Sequence, residues 1–320
     1  MGRDALSLAV SSLRLRADDA VLLPAYICPE VLRPFLGTTR VRFYDIRHDL
    51  AADLDEIRLS TSDGRVKMMM IINYFGFLQP DRTEIRKLCS EQGIVLMEDC
   101  AHSLLTDGSG DTGDLAIYSF RKLLPVPDGG GLTTHLEQTV RPCFYPKTYS
   151  NALSILITIK LWLKVRVDLL SRAGLTARTK SLLPETTMTG AIDGRILPMS
   201  SFARRGIRHA SFADIVANRR RDFEFWLGAA RRTSLFTPVF DTLPPGVCPL
   251  GFPVRAHDRQ SLRARLEGAG VPLKIHWHLP PAVGPEFTNS HQLSARILTL
   301  PVYPDLSRRE RDRIATLLAC

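Results

Sequence analysis

The chain has 320 residues, 45% hydrophobic and 23% charged, with 42 Lys and Arg against 33 Asp and Glu for a net charge of +9. That is an ordinary globular composition, long enough for one large core and a smaller second unit. A basic excess points to nucleic acid or a membrane surface where it is concentrated, but here arginine clusters only at Arg204-Arg205, Arg219 to Arg221, Arg231-Arg232 and Arg308-Arg309. No nucleic-acid fold signature accompanies these pairs, so they read as a solvated surface that also suits anionic substrates. Six cysteines (28, 89, 100, 143, 248 and 320) show no paired spacing, which argues against a zinc site or a disulfide framework. Reduced thiols and the absence of a secretory leader pattern lead us to expect a cytoplasmic protein.

Taken in chain order, Arg3 to Leu13 predicts a helix and Val21 to Leu23 a short strand. The loop Pro24-Ala25-Tyr26-Ile27-Cys28-Pro29 then opens a helix to about Phe35, and Val41 to Tyr44 is a strand ending in Asp45. Val66 to Ile72 is a strongly apolar strand that runs into Asn73-Tyr74-Phe75-Gly76-Phe77. A helix from Arg82 to Glu91 follows, closed by Gly93. Two more apolar runs matter most. Ile94 to Met97 ends in Glu98 and Asp99, with His102 three residues on; Leu115 to Phe120 leads to Ser119, Arg121 and Lys122, then Asp128 and three glycines.

This alternation predicts an α/β fold, a parallel or mixed sheet flanked by helices. Leu153 to Leu170 is the most apolar stretch, but Lys160, Lys164, Arg166 and Asp168 make it a docked helix rather than a membrane span. Residues 173–200 carry no clear period. Ala210 to Ala230 reads as a long linking helix, Pro249 to Val254, Leu273 to Trp277 and Ile297 to Val302 as strands, and Asp258 to Glu267 as a helix. Ser307-Arg308-Arg309-Glu310 is a capping box for a last helix. The expected division is a large domain over 1–205 and a smaller α+β domain over 206–320.

Chemistry in open α/β sheets gathers beyond the carboxyl ends of the strands. Asp99, His102, Ser119 and Lys122 therefore converge on one crevice. A lysine amine forms a Schiff base with a carbonyl cofactor. Pyridoxal phosphate (PLP) needs such a lysine, an acid for its pyridine nitrogen and donors for its phosphate; Lys122, Asp99 and Ser119 supply that set, and His102 would lie on the ring or bond its 3-oxygen. The competing account makes Asp99 a helix cap and Lys122 a solvated loop residue.

The stretch resembles the DegT/DnrJ/EryC1/StrS family of PLP-dependent aminotransferases. Glu98-Asp99-Cys100-Ala101-His102, Gly113-Asp114, Ser119-Phe120, Lys122 and Asp128-Gly129-Gly130 stand where that family shows its E-D-A-A-[QH], G-D, S-F, lysine and G-[DE]-G-G signatures. The serine-to-lysine separation is two residues shorter than usual. Gly2-Arg3-Asp4-Ala5-Leu6 resembles the family's S-G-T-x-A-L opening, whose turn holds the cofactor phosphate; Gly2 and Arg3 are the implied contacts. The family usually has a further segment before that turn, so this sequence reads as a late start or a shortened variant. Leu298 to Ser307 resembles the family's L-x-L-P-x-x-P-x-L-S segment. Asn73 stands where the family has histidine in H-x-Y-G. Of its N-x-R-M-S only Met199-Ser200 matches, with Arg195 four residues before the methionine.

The resemblance implies fold type I, with Lys122 as the catalytic lysine and Asp99, His102, Ser119, Gly2, Arg3 and Tyr26 around PLP. Tyr26 serves equally as a core tyrosine. Asn73, Tyr74, His276 and His278 are candidate substrate contacts; a metal pair at His276 and His278 lacks a third ligand. The implied reaction moves an amino group, commonly from glutamate, to a keto sugar linked to a nucleotide, in a homodimer whose active sites lie at the interface. Relatives that remove a hydroxyl usually have histidine in place of the lysine, which Lys122 argues against. A degenerate or regulatory member, or an enzyme acting on a non-sugar carbonyl, are the other readings.

Overall fold

Short apolar runs build the larger sheet. In the computed structural model, which describes residues 1–136, 155, 196–271, 273–302 and 308–318, β1 (Ala20–Pro24) lies between β2 (Arg40–Tyr44) and β3 (Val66–Ile72). β4 (Val95–Asp99), β5 (Leu115–Ser119) and β6 (Gly130–Thr134) continue the sheet in the order β2-β1-β3-β4-β5-β6, parallel except for β6. Every residue of β1 is buried, as a strand covered on both faces requires. Helices α1 (Gly2–Ser12), α2 (Leu54–Thr61) and α3 (Arg82–Gln92) belong to this unit. Gly93 ends α3 in the left-handed region (φ 65°), its N–H donating to the carbonyls of Cys89 and Ser90. The helix expected up to Phe35 is instead two single turns of 3₁₀ helix, Pro29–Val31 and Arg33–Phe35. Pro29 and Pro34 each remove a backbone donor, so no continuous α-helical ladder forms there.

α4 (Ser201–Arg208) packs Ala203 with Leu124 and Val126 beyond the larger sheet, and the second unit holds α5 (Phe212–Ala230), α6 (Arg259–Gly268), α7 (Thr288–Arg296), α8 (Arg308–Leu318) and an antiparallel sheet of β7 (Phe236–Pro238), β8 (Phe252–Ala256) and β9 (Ile297–Leu300). It has its own apolar core around Phe223, Trp226, Phe252 and Leu298, separate from the core that packs on the larger sheet.

Three expected strands change length for stated reasons. Residues 249–251 do not join β8, because Arg219 takes the carbonyls of Pro249 and Leu250 and the Leu250 N–H donates to the Phe75 carbonyl. β9 stops at Leu300, where Pro301 has no N–H to donate and its carbonyl accepts from Trp226 Nε1 at 2.7 Å. The run from Leu273 to Trp277 forms only one bridge, Lys274 to Thr299, after which the chain leaves the sheet. The expected helix at 153–171 and the capping box at Ser307 lie outside the described residues.

One long-range cap ties the two units. α7 has no side-chain cap from its own N-terminal residue, Phe287. Asp45, at the end of β2, accepts instead from the amides of Asn289 (3.0 Å) and Ser290 (2.9 Å) and from the Ser290 hydroxyl.

Candidate active site

β4 ends in two carboxylates, and strand alternation sends them to opposite sides. Glu98, fully buried, accepts from the amides of Thr112 and Gly113 at 2.7 Å each, from Gly110 N–H at 3.3 Å and from Asn73 Nδ2 at 3.0 Å. It is therefore an anchor for the 110–113 loop. Asp99 faces the other way, into a cavity of about 360 Å³ beyond the strand ends. Its Oδ1 accepts from Ala101 N–H at 2.9 Å. Burial raises its carboxyl pKa, opposed by the charge of Lys122.

Lys122 closes a single 3₁₀ turn, Phe120–Lys122, that follows β5. β5 is the hydrogen-bonded neighbour of β4, with Asp99 in register with Ile117. Both chains thus deliver their polar residues to the same cavity, which Asp99, His102, Ser119 and Lys122 all line. Burial lowers the pKa of the Lys122 amine; Asp99 and Cys28 act in the opposite direction.

His102 is 2% exposed. Its Nδ1 accepts from the Phe75 N–H at 3.2 Å, while its Nε2 has no hydrogen-bond partner among the described residues. The neutral imidazole is favoured first by burial and then by the charges of Lys122, His276 and Lys274, which hold its pKa well below the usual value. Trp277 stacks on this ring (centroids 5.2 Å, planes 29° apart) and lines the cavity.

The start of α1 forms the opposite wall. Met1, Gly2 and Arg3 line the cavity. A Cβ on Gly2 would stand 2.9 Å from Ser119 Cβ, and one on Gly130 would stand 2.6 Å from the backbone of Met1, so glycine is required at both for this close approach. Arg3 pairs with Glu30, which Arg33 also approaches at 3.4 Å, at the same wall. The Asp128 carboxylate, two residues before Gly130, is 1% exposed and holds Ser200, the N-cap of α4.

The other sequence candidates sit elsewhere. Tyr26 is fully buried and does not line the cavity; its ring lies behind it, 5.4 Å from Trp277 and 5.6 Å from Tyr74. Asn73 is buried in hydrogen bonds to Glu98 and Gln79, and the Tyr74 hydroxyl donates to the Tyr26 carbonyl at 2.6 Å. His276 packs at 5.6 Å from His102 and bonds Thr299 through Nδ1, and His278 is exposed. The two histidines do not share a strand face, because the expected strand there is absent. Sequence reasoning passed over Trp277 and Cys28, both cavity-lining; the H-W-H triplet and the P-A-Y-I-C-P loop were their only signals.

A family model, the DegT/DnrJ/EryC1/StrS aminotransferase family, matches residues 2–151. That match spans just under half of the chain. The dTDP-3-amino-3,4,6-trideoxy-alpha-D-glucose transaminase of Micromonospora megalomicea subsp. nigra is 31% identical over 149 residues, 44% of this chain but only 39% of that protein. The dTDP-3-amino-3,6-dideoxy-alpha-D-galactopyranose transaminase of Aneurinibacillus thermoaerophilus is 22% identical over 332 aligned residues, covering 98% and 82%. A putative sugar aminotransferase of Streptococcus pneumoniae, solved in its PLP form, superposes with a TM-score of 0.69 at 16% identity, covering 99% of this chain and 84% of that one. The likeness of fold therefore runs through both units, and the architecture is the family's fold type I.

The family's cofactor is PLP. The residues present fit it: one cavity holds a buried acid, an amine whose pKa burial lowers, a helix start and an imidazole nitrogen still without a partner among the described residues. Among those residues no helix is long and apolar enough to cross a membrane, and no group of three or more His, Cys, Asp or Glu is placed to hold a metal ion.

Proposed function

We propose that this chain is a PLP-dependent aminotransferase that moves an amino group, from glutamate, to a keto sugar carried on a nucleotide. The observation that carries it is the pair Asp99 and Lys122, a carboxyl and an amine brought by adjacent strands into one cavity, where burial raises the pKa of the acid and lowers that of the amine while each charge opposes the other's shift. The relatives' names support the substrate class, since both curated relatives act on dTDP-linked amino sugars.

PLP, when bound, would supply an electron sink for charge developing at the substrate carbon. Asp99 would hold a proton on the ring nitrogen. The start of α1, at Gly2 and Arg3, and the Ser119 hydroxyl would bind the phosphate. His102 would offer its Nε2–H to a cofactor oxygen. Lys122 would anchor the cofactor and, when its amine is free, would accept the proton from the substrate carbon. Trp277 keeps water from the His102 side. A large domain over 1–205, a homodimer and a cytoplasmic location complete this reading.

The test is an absorption spectrum of the full chain with added PLP, before and after borohydride, on wild type and Lys122→Ala. A band at roughly 410–430 nm, a property of the cofactor, trapped covalently only when Lys122 is present, is the expected result. No band at saturating PLP would overturn the proposal.

A further inference from the structure

The His102 ring is held from an unusual place. Its Nδ1 takes the backbone N–H of Phe75, and Phe75 is a fully buried phenylalanine in the left-handed region, at φ 55° and ψ 17°. Side chains with a Cβ seldom adopt that conformation, and where they do the surrounding structure must hold them there. Glycine would be free to do so, yet glycine is the next residue, Gly76.

The restraint comes from the second unit. The carbonyl of Phe75 accepts from the Leu250 N–H at 2.8 Å. The carbonyl of Gly76 accepts from the Thr106 hydroxyl at 2.7 Å, and the same hydroxyl oxygen accepts from the Cys248 N–H at 3.0 Å. A Cβ on Gly76 would lie 2.3 Å from the Cys248 carbonyl oxygen, so the segment is pressed directly onto the turn. Arg219 of α5 takes the next two carbonyls, Pro249 and Leu250, at 3.2 and 3.1 Å. The Phe75 ring fills the space between His102 (5.8 Å) and His276 (5.5 Å, edge-on).

We infer that Phe75 and Thr106 are positioning residues for His102: the left-handed turn, locked by segment 248–250 through the Thr106 hydroxyl, fixes the imidazole proton on Nε2 and so aims an N–H donor into the cavity. A backbone N–H can only donate, so a neutral imidazole whose Nδ1 accepts from it must carry its own proton on Nε2. The ligand atom this selects is an acceptor oxygen. The docking of the second unit thereby decides which partner the cavity favours on this side. The inference deepens the proposed function and rests on it for the identity of that oxygen, but the tautomer itself belongs to the protein alone.

The measurement is a proton–nitrogen correlation spectrum of the full chain labelled with ¹⁵N-histidine, at neutral pH, with and without added PLP. His102→Gln identifies the signal. The expected result for wild type is a single Nε2–H tautomer in both samples. An Nδ1–H form, or a mixture, overturns the inference without any variant. Thr106→Val removes the hydroxyl and keeps the volume; amide exchange at Phe75 and Leu250 should then quicken together by about tenfold or more, and the single tautomer should be lost. Thr106→Ser, which restores the hydroxyl, should return both to the wild-type state. Unchanged exchange and tautomer in Thr106→Val would overturn the coupling. A chain that binds no PLP but shows the expected tautomer would sink the proposed function alone, and trapping at Lys122 with the wrong tautomer would sink this inference alone.

Discussion

Asp128 and Ser200 are joined twice: Oδ1 of Asp128 accepts from the Ser200 N–H at 3.0 Å, and Oδ2 accepts from the Ser200 hydroxyl at 2.7 Å. The Ser200 oxygen in turn accepts from Ala203 N–H and so caps α4. Two family signatures that look independent along the chain, the acid before the glycines and the Met-Ser pair, are therefore halves of one anchor. Gly129, between Asp128 and Gly130, has φ 110° and lies against Met199, where any Cβ would stand 2.4 Å from the sulfur.

Asp128→Ala would leave the Ser200 amide and hydroxyl without this acceptor in a buried setting. The expected loss is about 2–4 kcal/mol of stability. Ser200→Ala keeps the amide bond and should cost about 1–2 kcal/mol. Urea unfolding of the two variants and their double mutant measures the coupling; fully additive losses would mean that the pair does not act as a unit.

On the proposed function, attachment of PLP requires the neutral amine of Lys122. Because burial lowers that amine's pKa, the attachment rate should rise with pH and level off below the ordinary lysine value of about 10.5. Asp99 favours the charged amine, so Asp99→Asn should move the plateau to lower pH. Stopped-flow absorbance at a series of pH values gives the curve, and a rate still climbing at pH 10 would contradict the buried setting of Lys122.

Two histidines make the fold sensitive to acid. Burial pushes His276 down to about 3 and holds His102 well below its usual value. In the unfolded chain both protonate near 6.5, while in the folded chain they stay neutral. Below pH 6.5 the unfolded state thus binds more protons, and stability falls as the pH falls. Each histidine contributes up to about 1.4 kcal/mol per pH unit. His276→Gln should flatten the fall between pH 6 and 4 in urea titrations; an unchanged slope would mean that His276 titrates freely in the folded protein.

Glu98→Gln keeps the shape of the side chain but replaces one acceptor oxygen by an NH₂ group facing backbone donors. The amides of Thr112 and Gly113 share Oε1, and Gly110 N–H and Asn73 Nδ2 share Oε2. Whichever way the amide turns, two donors lose their acceptor, at a cost of about 2–4 kcal/mol. Thermal unfolding checks this, and a variant within about 0.5 kcal/mol of wild type would show that water takes over the lost contacts.

The strands that reach the cavity were legible because burial on both faces writes a continuous apolar run, as at Met68 to Ile72, and because Asp99 ends such a run and Lys122 follows another. Local signals failed where the cause was remote. α2, α4 and α7 are only eight or nine residues long with one or two buried residues each, too few buried positions to define a helical period. Glu98 and Asp99 looked alike in sequence, and only the 110–113 loop and the cavity tell them apart. Trp277 reaches the cavity because the chain leaves β9 after Lys274 and its carbonyl is caught by the Ser294 hydroxyl at 2.6 Å, which no nearby residue announces.

The cap that Asp45 places on α7 spans 245 positions along the chain, from Asp45 to Ser290. During synthesis at roughly 5–20 residues per second, Asp45 leaves the ribosome many seconds before the amides it will accept from exist. Until then the end of β2 keeps a carboxylate without its final donors, and α7, once made, has no cap of its own. The large sheet can therefore assemble early but reaches its finished state only when the far end of the polypeptide arrives. Stalled chains ending before residue 288 should be cut by protease near Asp45 and become resistant there once α7 is released.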